Sequence, residues 1–186
     1  CVIATDARLS PELAQKALAD AAEQSFHRMT IDGDTSTNDT VLLMADGAAE
    51  MPTIVSEASA EYRAFAGALT QVAQSLAKAV ARDGEGASKF VTVRVTGART
   101  EADARLAARA VAGSNLTKSA VYGSDPNWGR ILCAAGYSGA EVDANVAAMA
   151  KSYNAGDEAK AAAFKPVWEA FKSTREGEII PLVYAG

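Results

Sequence analysis

Met29-Thr30-Ile31-Asp32-Gly33-Asp34-Thr35-Ser36-Thr37-Asn38-Asp39-Thr40 is a polar stretch that runs directly into the apolar segment Val41-Leu42-Leu43-Met44. Apart from Met29 and Ile31, every residue in it is glycine or carries a short polar side chain. Clusters of this kind punctuate chains as loops. This one gathers more hydroxyls, carboxylates and amides than a turn needs for its own hydrogen bonds. A polar hairpin connection without chemistry is the plainer reading. Calcium fits poorly. Asp32, Asp34 and Ser36 take positions one, three and five of a calcium loop, but Thr37 and Leu43 stand where its glycine and bidentate glutamate belong.

Outward from this loop, the pattern alternates strands and helices. Thr30-Ile31 and Val41–Ala45 read as flanking strands, and Asp46-Gly47 breaks the chain. Residues 1–5 read as a further strand. Ser10-Pro11-Glu12 opens a helix, with serine as N-cap and proline in the first turn. Leu13, Ala17, Leu18, Ala21, Ala22 and Met29 carry its apolar stripe to about residue 29. A second helix spans about 59–82, with Phe65, Leu69, Val72, Leu76 and Val80 on one face. Phe90–Thr96 alternates with period two and predicts a half-buried strand. Thr100 caps a third helix, Gly113-Ser114-Asn115 stops it, and Lys118–Tyr122 is predicted as a strand. Asp125-Pro126-Asn127 turns into a helix over Arg130–Ala135. Residues 143–172 are alanine-rich and helical in pattern, and Glu178–Tyr184 is an edge-strand candidate because of Pro181. The order argues an α/β or α+β fold.

Composition narrows the function. The 186 residues suffice for one good core or two small ones, with 49% apolar residues and a net charge of −5. No basic patch or Lys/Arg run points to nucleic acid, and no apolar stretch approaches a membrane span. Cys1 and Cys133 form no CxxC pair, so a reducing, cytoplasmic setting is expected. The single histidine, His27, supplies neither a zinc site nor a triad without a nucleophile motif. No metal is expected. A chain that opens with Cys1 in place of Met reads as a processed product, a trimmed piece or a fragment.

Four motifs agree in order and spacing with one family: Cys1-Val2-Ile3-Ala4-Thr5-Asp6-Ala7, the loop at 29–40, Asp83-Gly84-Glu85-Gly86-Ala87, and Gly123-Ser124-Asp125-Pro126-Asn127-Trp128-Gly129-Arg130. Over residues 1 to about 143 the chain resembles the β chain of the ornithine acetyltransferases, also called bifunctional glutamate N-acetyltransferases. The resemblance implies an N-terminal-nucleophile-like sandwich of β-sheets and helices, incomplete in this chain. It divides the sequence into residues 1–112, the N-terminal-nucleophile-like region, and residues 113–186, a smaller α/β region that is atypical after about 143.

Members of this family cut themselves from one precursor, and the new N-terminal threonine of the β chain is the nucleophile. It takes acetyl from N-acetylornithine and passes it to glutamate; some members also use acetyl-CoA as donor. No cofactor is implied. The implied partner is the α chain of the same precursor, in a heterotetramer of two α and two β chains. A freed α-amino group, with a pKa of about 7.7–8.0, suits the base such a hydroxyl needs. The motif alignment places that threonine just upstream of Cys1, so no catalytic nucleophile is expected within the chain.

The substrate-binding residue that the resemblance leaves is Glu85, whose carboxylate would hold the α-amino group of ornithine or glutamate. Without the resemblance, Glu85 between two glycines reads as a solvated turn residue. Cys1 is a lesser nucleophile candidate, since terminal cysteines also serve in such enzymes. Asn127 and Arg130 build a turn into a helix, or face a ligand. Lys89 and Lys118 read as surface charges, and Cys133 as an inert small hydrophobe. Two alternatives remain open at this point: a non-catalytic fragment or remodelled scaffold, and a related N-terminal-nucleophile aminopeptidase.

Overall fold

A computed structural model describes residues 1–140. The helical pattern over 143–172 and the edge strand at 178–184 lie outside the described residues. Along the chain run β1 (Val2–Thr5), α1 (Pro11–Glu23), a 3₁₀ turn (Phe26–Arg28), β2 (Leu42–Ala45), α2 (Ala60–Arg82), α3 (Glu101–Gly113), α4 (Asn115–Tyr122) and α5 (Trp128–Gly136). They fall into two compact units: Cys1–Met29 with Gly33–Val80, and Thr30–Asp32 with the chain from Ala81 onward.

In the first unit, Ser10 caps α1 as its sequence predicts, the side chain accepting from the Leu13 N–H at 3.3 Å. The Ser10 hydroxyl also holds the Glu12 carboxyl below its ordinary pKa. The helix ends at Glu23, short of residue 29. Ser25 donates to the Ala21 carbonyl at 2.6 Å, and the chain tightens into the 3₁₀ turn.

β1 and β2 pair in parallel, in the register Val2↔Leu42 to Thr5↔Ala45, with α1 in the crossover. Leu9 and Ile54 add a further parallel bridge. This corrects the expected hairpin: Thr30-Ile31 forms no strand, and the partner of β2 is β1. Two residues offer too few ladder bonds to compete with the four of β1. Ile3 and Leu43 pack against a core of Ala17, Ala21, Ile54, Tyr62, Leu69 and Ala73. Ala17, Ala21 and Ala73 are fully buried, so these sites admit only a methyl group.

Tyr62 is the exception in this core, a buried residue whose hydroxyl has no hydrogen-bond partner. Burial raises its pKa, and the charges of Asp20 and Glu57 raise it further. A raised folded value means stability is full below the unfolded pKa of about 10 and is lost as pH climbs through the folded value. Tyr62→Phe should therefore raise stability by about 1 kcal/mol at neutral pH, by removing an unpaired polar group. It should also flatten the alkaline loss. Urea midpoints between neutral and strongly alkaline pH check this; an unchanged alkaline slope would count against it.

The second unit is built on α3, α4 and α5, each packed on the other two. Thr100 caps α3, accepting from the Asp103 N–H at 3.1 Å. Ser114 closes α3 and at once caps α4, accepting from Thr117 N–H at 3.3 Å. The predicted strand Lys118–Tyr122 is therefore helical. Within it only Ala120 is buried, a signal too short to separate a helix from alternation. Phe90–Thr96 is likewise not a strand among the described residues. Its period-two pattern is present, since Val91, Val93 and Val95 are half-buried and Arg94 and Thr96 exposed, but no described segment supplies its ladder. The Arg82 guanidinium sits 5.0 Å from the Phe90 ring centroid. The buried apolar residues of this unit are Ala107, Ala108, Val111, Ala120, Ala134 and Leu132 of α5, the last only 1% exposed.

Candidate functional site

Glu85 stands at the crown of a tight turn just beyond the end of α2. The Ala87 N–H donates to the Gly84 carbonyl at 2.9 Å and closes the turn. Gly86 has φ +68°, at the turn position where positive φ favours glycine. Gly84 lies against Ile31; a Cβ there would meet the Ile31 Cγ2 at 4.0 Å and the Ala87 Cβ at 3.5 Å. Glu85 itself is exposed and makes no hydrogen bond or ion pair with another described residue. Its carboxylate is available to an incoming cation.

Two lysines read as surface charges prove to be anchors. Lys89 Nζ donates to the carbonyls of Val121 and Tyr122, the latter at 3.1 Å, and to Ser124 Oγ at 2.7 Å. Lys118 Nζ donates to the Ile31 carbonyl at 2.6 Å. Ser124 has φ +54° and is the only non-glycine residue at positive φ among the described residues. No sequence signal marked it, because a serine carries no preference for that conformation.

The segment Asp125–Arg130 forms the expected turn into a helix. Asn127 is the N-cap of α5, its side chain accepting from the Arg130 N–H at 3.3 Å and donating to Asp125 Oδ2 at 3.1 Å. Arg130 Nη1 donates to the Leu116 carbonyl at 3.1 Å. Both side chains thus serve the unit's own backbone. Cys133, read as an inert small hydrophobe, is a free cysteine exposed on α5.

In the first unit, Cys1 is exposed, and its ammonium donates to the Thr40 carbonyl at 2.8 Å. Its carbonyl accepts from the Leu42 N–H at 2.9 Å. The start of β1 therefore lies at the end of the polar loop. Within that loop, Ser36 Oγ accepts from the N–H groups of Asn38 and Asp39 at 3.2 and 3.0 Å. Thr37 donates to Asn38 Oδ1 at 2.7 Å. Much of the loop's polar capacity is spent on its own shape. His27 contacts Glu23 Oε1 through Nδ1 at 2.6 Å. Among the described residues no group of three or more His, Cys, Asp or Glu is placed to hold a metal ion, and no helix is long and apolar enough to cross a membrane.

The motifs that frame these sites carry a family signature. The model of the ArgJ family matches residues 1–173, well past residue 143. The chain belongs to the ArgJ family. It is 57% identical over 141 residues to the Arginine biosynthesis bifunctional protein ArgJ of Symbiobacterium thermophilum, covering 76% of this chain and 35% of that protein. It is 55% identical over 137 residues to the mitochondrial ArgJ of Fusarium vanettenii, covering 74% of this chain and 30% of that one. The crystal structure of ArgJ from Bacillus halodurans superposes with a TM-score of 0.71 at 46% identity, over 76% of this chain and 66% of that chain. The chain thus has the α/β fold of ArgJ proteins, and it spans about a third of the length of the first of these curated relatives. The ArgJ family is the one its motifs resemble.

Proposed function

We propose that this chain is the β-chain part of a self-cleaved acetyltransferase of arginine biosynthesis. The observation that carries the reading is the 57% identity, over 141 residues, to a protein named for a bifunctional role in arginine biosynthesis. In this reading the nucleophile is a threonine encoded just upstream of Cys1. Its hydroxyl attacks the acetyl carbonyl of N-acetylornithine, and its proton passes through the freed α-amine to the departing ornithine nitrogen. An acetyl-threonine ester remains. Glutamate, its α-amine deprotonated, attacks this ester; N-acetylglutamate leaves and the threonine hydroxyl is restored, a ping-pong cycle. Cys1, further along the chain than that threonine, is not the nucleophile in this reading. No cofactor takes part; acetyl-CoA is an alternative acetyl donor.

The Cys1 hydrogen bond to Thr40 supports this placement. It sets the start of β1 beside the end of a loop rich in hydroxyls and amides. Glu85, exposed and without a partner among the described residues, binds the α-amino group of the departing ornithine or the incoming glutamate. The partner is an α chain from the same precursor, assembled as two α and two β chains, in the cytoplasm.

The enzyme assembled with that α chain and the upstream threonine should transfer acetyl from N-acetylornithine to glutamate. In it, Glu85→Ala should raise the KM of the amino-acid substrates by roughly 30-fold or more, the scale of a lost charge pair to a substrate amine. An unchanged KM for both substrates would refute the role of Glu85. Hydrolysis of N-acetylornithine without transfer to glutamate would replace the acetyltransferase with an aminopeptidase-like enzyme.

A further inference from the structure

We propose that Lys89 is a positioning residue for Glu85, with Lys118 as its counterpart, and that α4 is the element both use to hold the turn. The proposal rests on the reading of Glu85 above and extends it to residues that touch no substrate.

The argument begins with the donors. An ammonium has three N–H donors and no acceptor. Lys89 Nζ has three acceptors around it: the carbonyls of Val121 and Tyr122 and the hydroxyl of Ser124. The two carbonyls belong to the last turn of α4, whose C-terminal carbonyls lack partners within the helix and sit at its negative end. A lysine is suited to that place, and hydrogen bonds from a charged donor are the stronger kind. Ser124 takes the left-handed conformation that brings its hydroxyl to the same ammonium. A conformation that serine rarely adopts persists where surrounding contacts over-determine it.

Lys118 works from within α4. Its Nζ holds the Ile31 carbonyl at 2.6 Å, and the Ile31 side chain stands near Gly84, its Cγ2 4.0 Å from where a Cβ on Gly84 would lie. Neither ammonium has a carboxylate partner among the described residues, so backbone carbonyls and one hydroxyl answer both charges. The turn carrying Glu85 is therefore flanked on both sides by residues bonded to α4. Before Glu85, Ile31 stands near Gly84 and is held by Lys118. Lys89 is held after it, with only Ser88 between Lys89 and the closed turn. A carboxylate on a turn fixed at both ends loses little freedom when it meets a cation, which is how preorganisation improves binding.

The test uses the assembled enzyme with Lys89→Met, Lys89→Arg and Lys118→Met, with Glu85→Ala as reference. Steady-state kinetics are read beside amide hydrogen exchange of residues 84–88. Lys89→Met should raise the KM of the amino-acid substrates about tenfold, the scale of one lost charge-assisted hydrogen bond, while kcat stays within about twofold. Exchange across 84–88 should quicken in step. Lys89→Arg should recover most of the KM, and Lys118→Met should reproduce the effect from the other side. Unchanged exchange at 84–88 in both methionine variants overturns the proposal, whatever Glu85→Ala does. Faster exchange with unchanged KM, while Glu85→Ala raises KM, overturns it as well. If Glu85→Ala itself leaves KM unchanged, the reading of Glu85 falls, and the anchoring of the turn is still decided by exchange. A kcat that collapses with KM in Lys89→Met and is not rescued by arginine marks a general structural role and also overturns it.

Discussion

Assayed alone, the chain should catalyse glutamate-dependent release of ornithine from N-acetylornithine at least ~10²–10³-fold more slowly than the enzyme completed with its α chain and upstream threonine. That factor corresponds to loss of a single oxyanion donor. In the reading proposed above, the nucleophile lies upstream of Cys1 and the α chain supplies the oxyanion-stabilising groups. What this chain contributes is the strand pair that presents the start of β1 beside Thr40, and the turn that presents Glu85. Presenting groups are worth little without the reacting hydroxyl, because effects of residues acting as a unit are far from additive. The check is a coupled assay for free ornithine, run with and without the α chain and threonine. Comparable turnover from the chain alone would overturn the placement of the nucleophile and return attention to Cys1.

Leu132→Ala should destabilise the second unit by about 2–5 kcal/mol, the cost of removing a buried leucine side chain and leaving a cavity. Leu132 is 1% exposed on α5, which packs on both α3 and α4, and the other buried apolar residues of this unit are small. Ala107, Ala108, Ala120 and Ala134 have no longer side chains with which to refill the space. Because stability is a margin of only about 5–15 kcal/mol, such a loss approaches the whole reserve of a small unit. Amide exchange in α3, α4 and α5 should quicken strongly, and the denaturant midpoint should fall. Exchange in those helices indistinguishable from the parent chain would show that Leu132 is not the keystone its burial indicates. Lys89 anchors to the C-terminal end of α4 and Lys118 reaches out from it, so this variant should also loosen the Glu85 turn.

Much of the fold was legible locally. Ser10 with Pro11, and Thr100 with Asp103, announced helix starts that the structure keeps, because a cap satisfies orphan N–H groups of its own first turn and needs nothing distant. The stripe of Phe65, Leu69, Val72, Leu76 and Val80 marked the buried face of α2 only in part: Leu69 is buried and Phe65 packs on the core, but Val72 and Val80 are exposed, and the face runs through Tyr62, Ala73 and Ala77. Asn127 as the entry to α5 followed from its turn chemistry. Membership of the ArgJ family was legible too, since it lies in motif order and spacing and does not depend on contacts.

Pairing was not legible. The sequence near residue 30 offered β2 a neighbour across the loop, yet β1 took that place, because a ladder is chosen by competition among distant strands. The valines of 91–95 show the alternation of a strand without a described partner, and Lys118–Tyr122 became helix when Ser114 closed one helix and opened the next. The site divides in the same way. Glu85 was found from a motif, whose glycines set the turn by their own backbone freedom. Its supports were not: Lys89 bonds residues more than thirty positions away, and Lys118 bonds a carbonyl eighty-seven positions away. Local chemistry determined the caps, the stripes and the turn. Only the tertiary structure decided which carbonyls those two ammoniums meet, because a lysine's long, flexible stem carries no preference of its own for a partner.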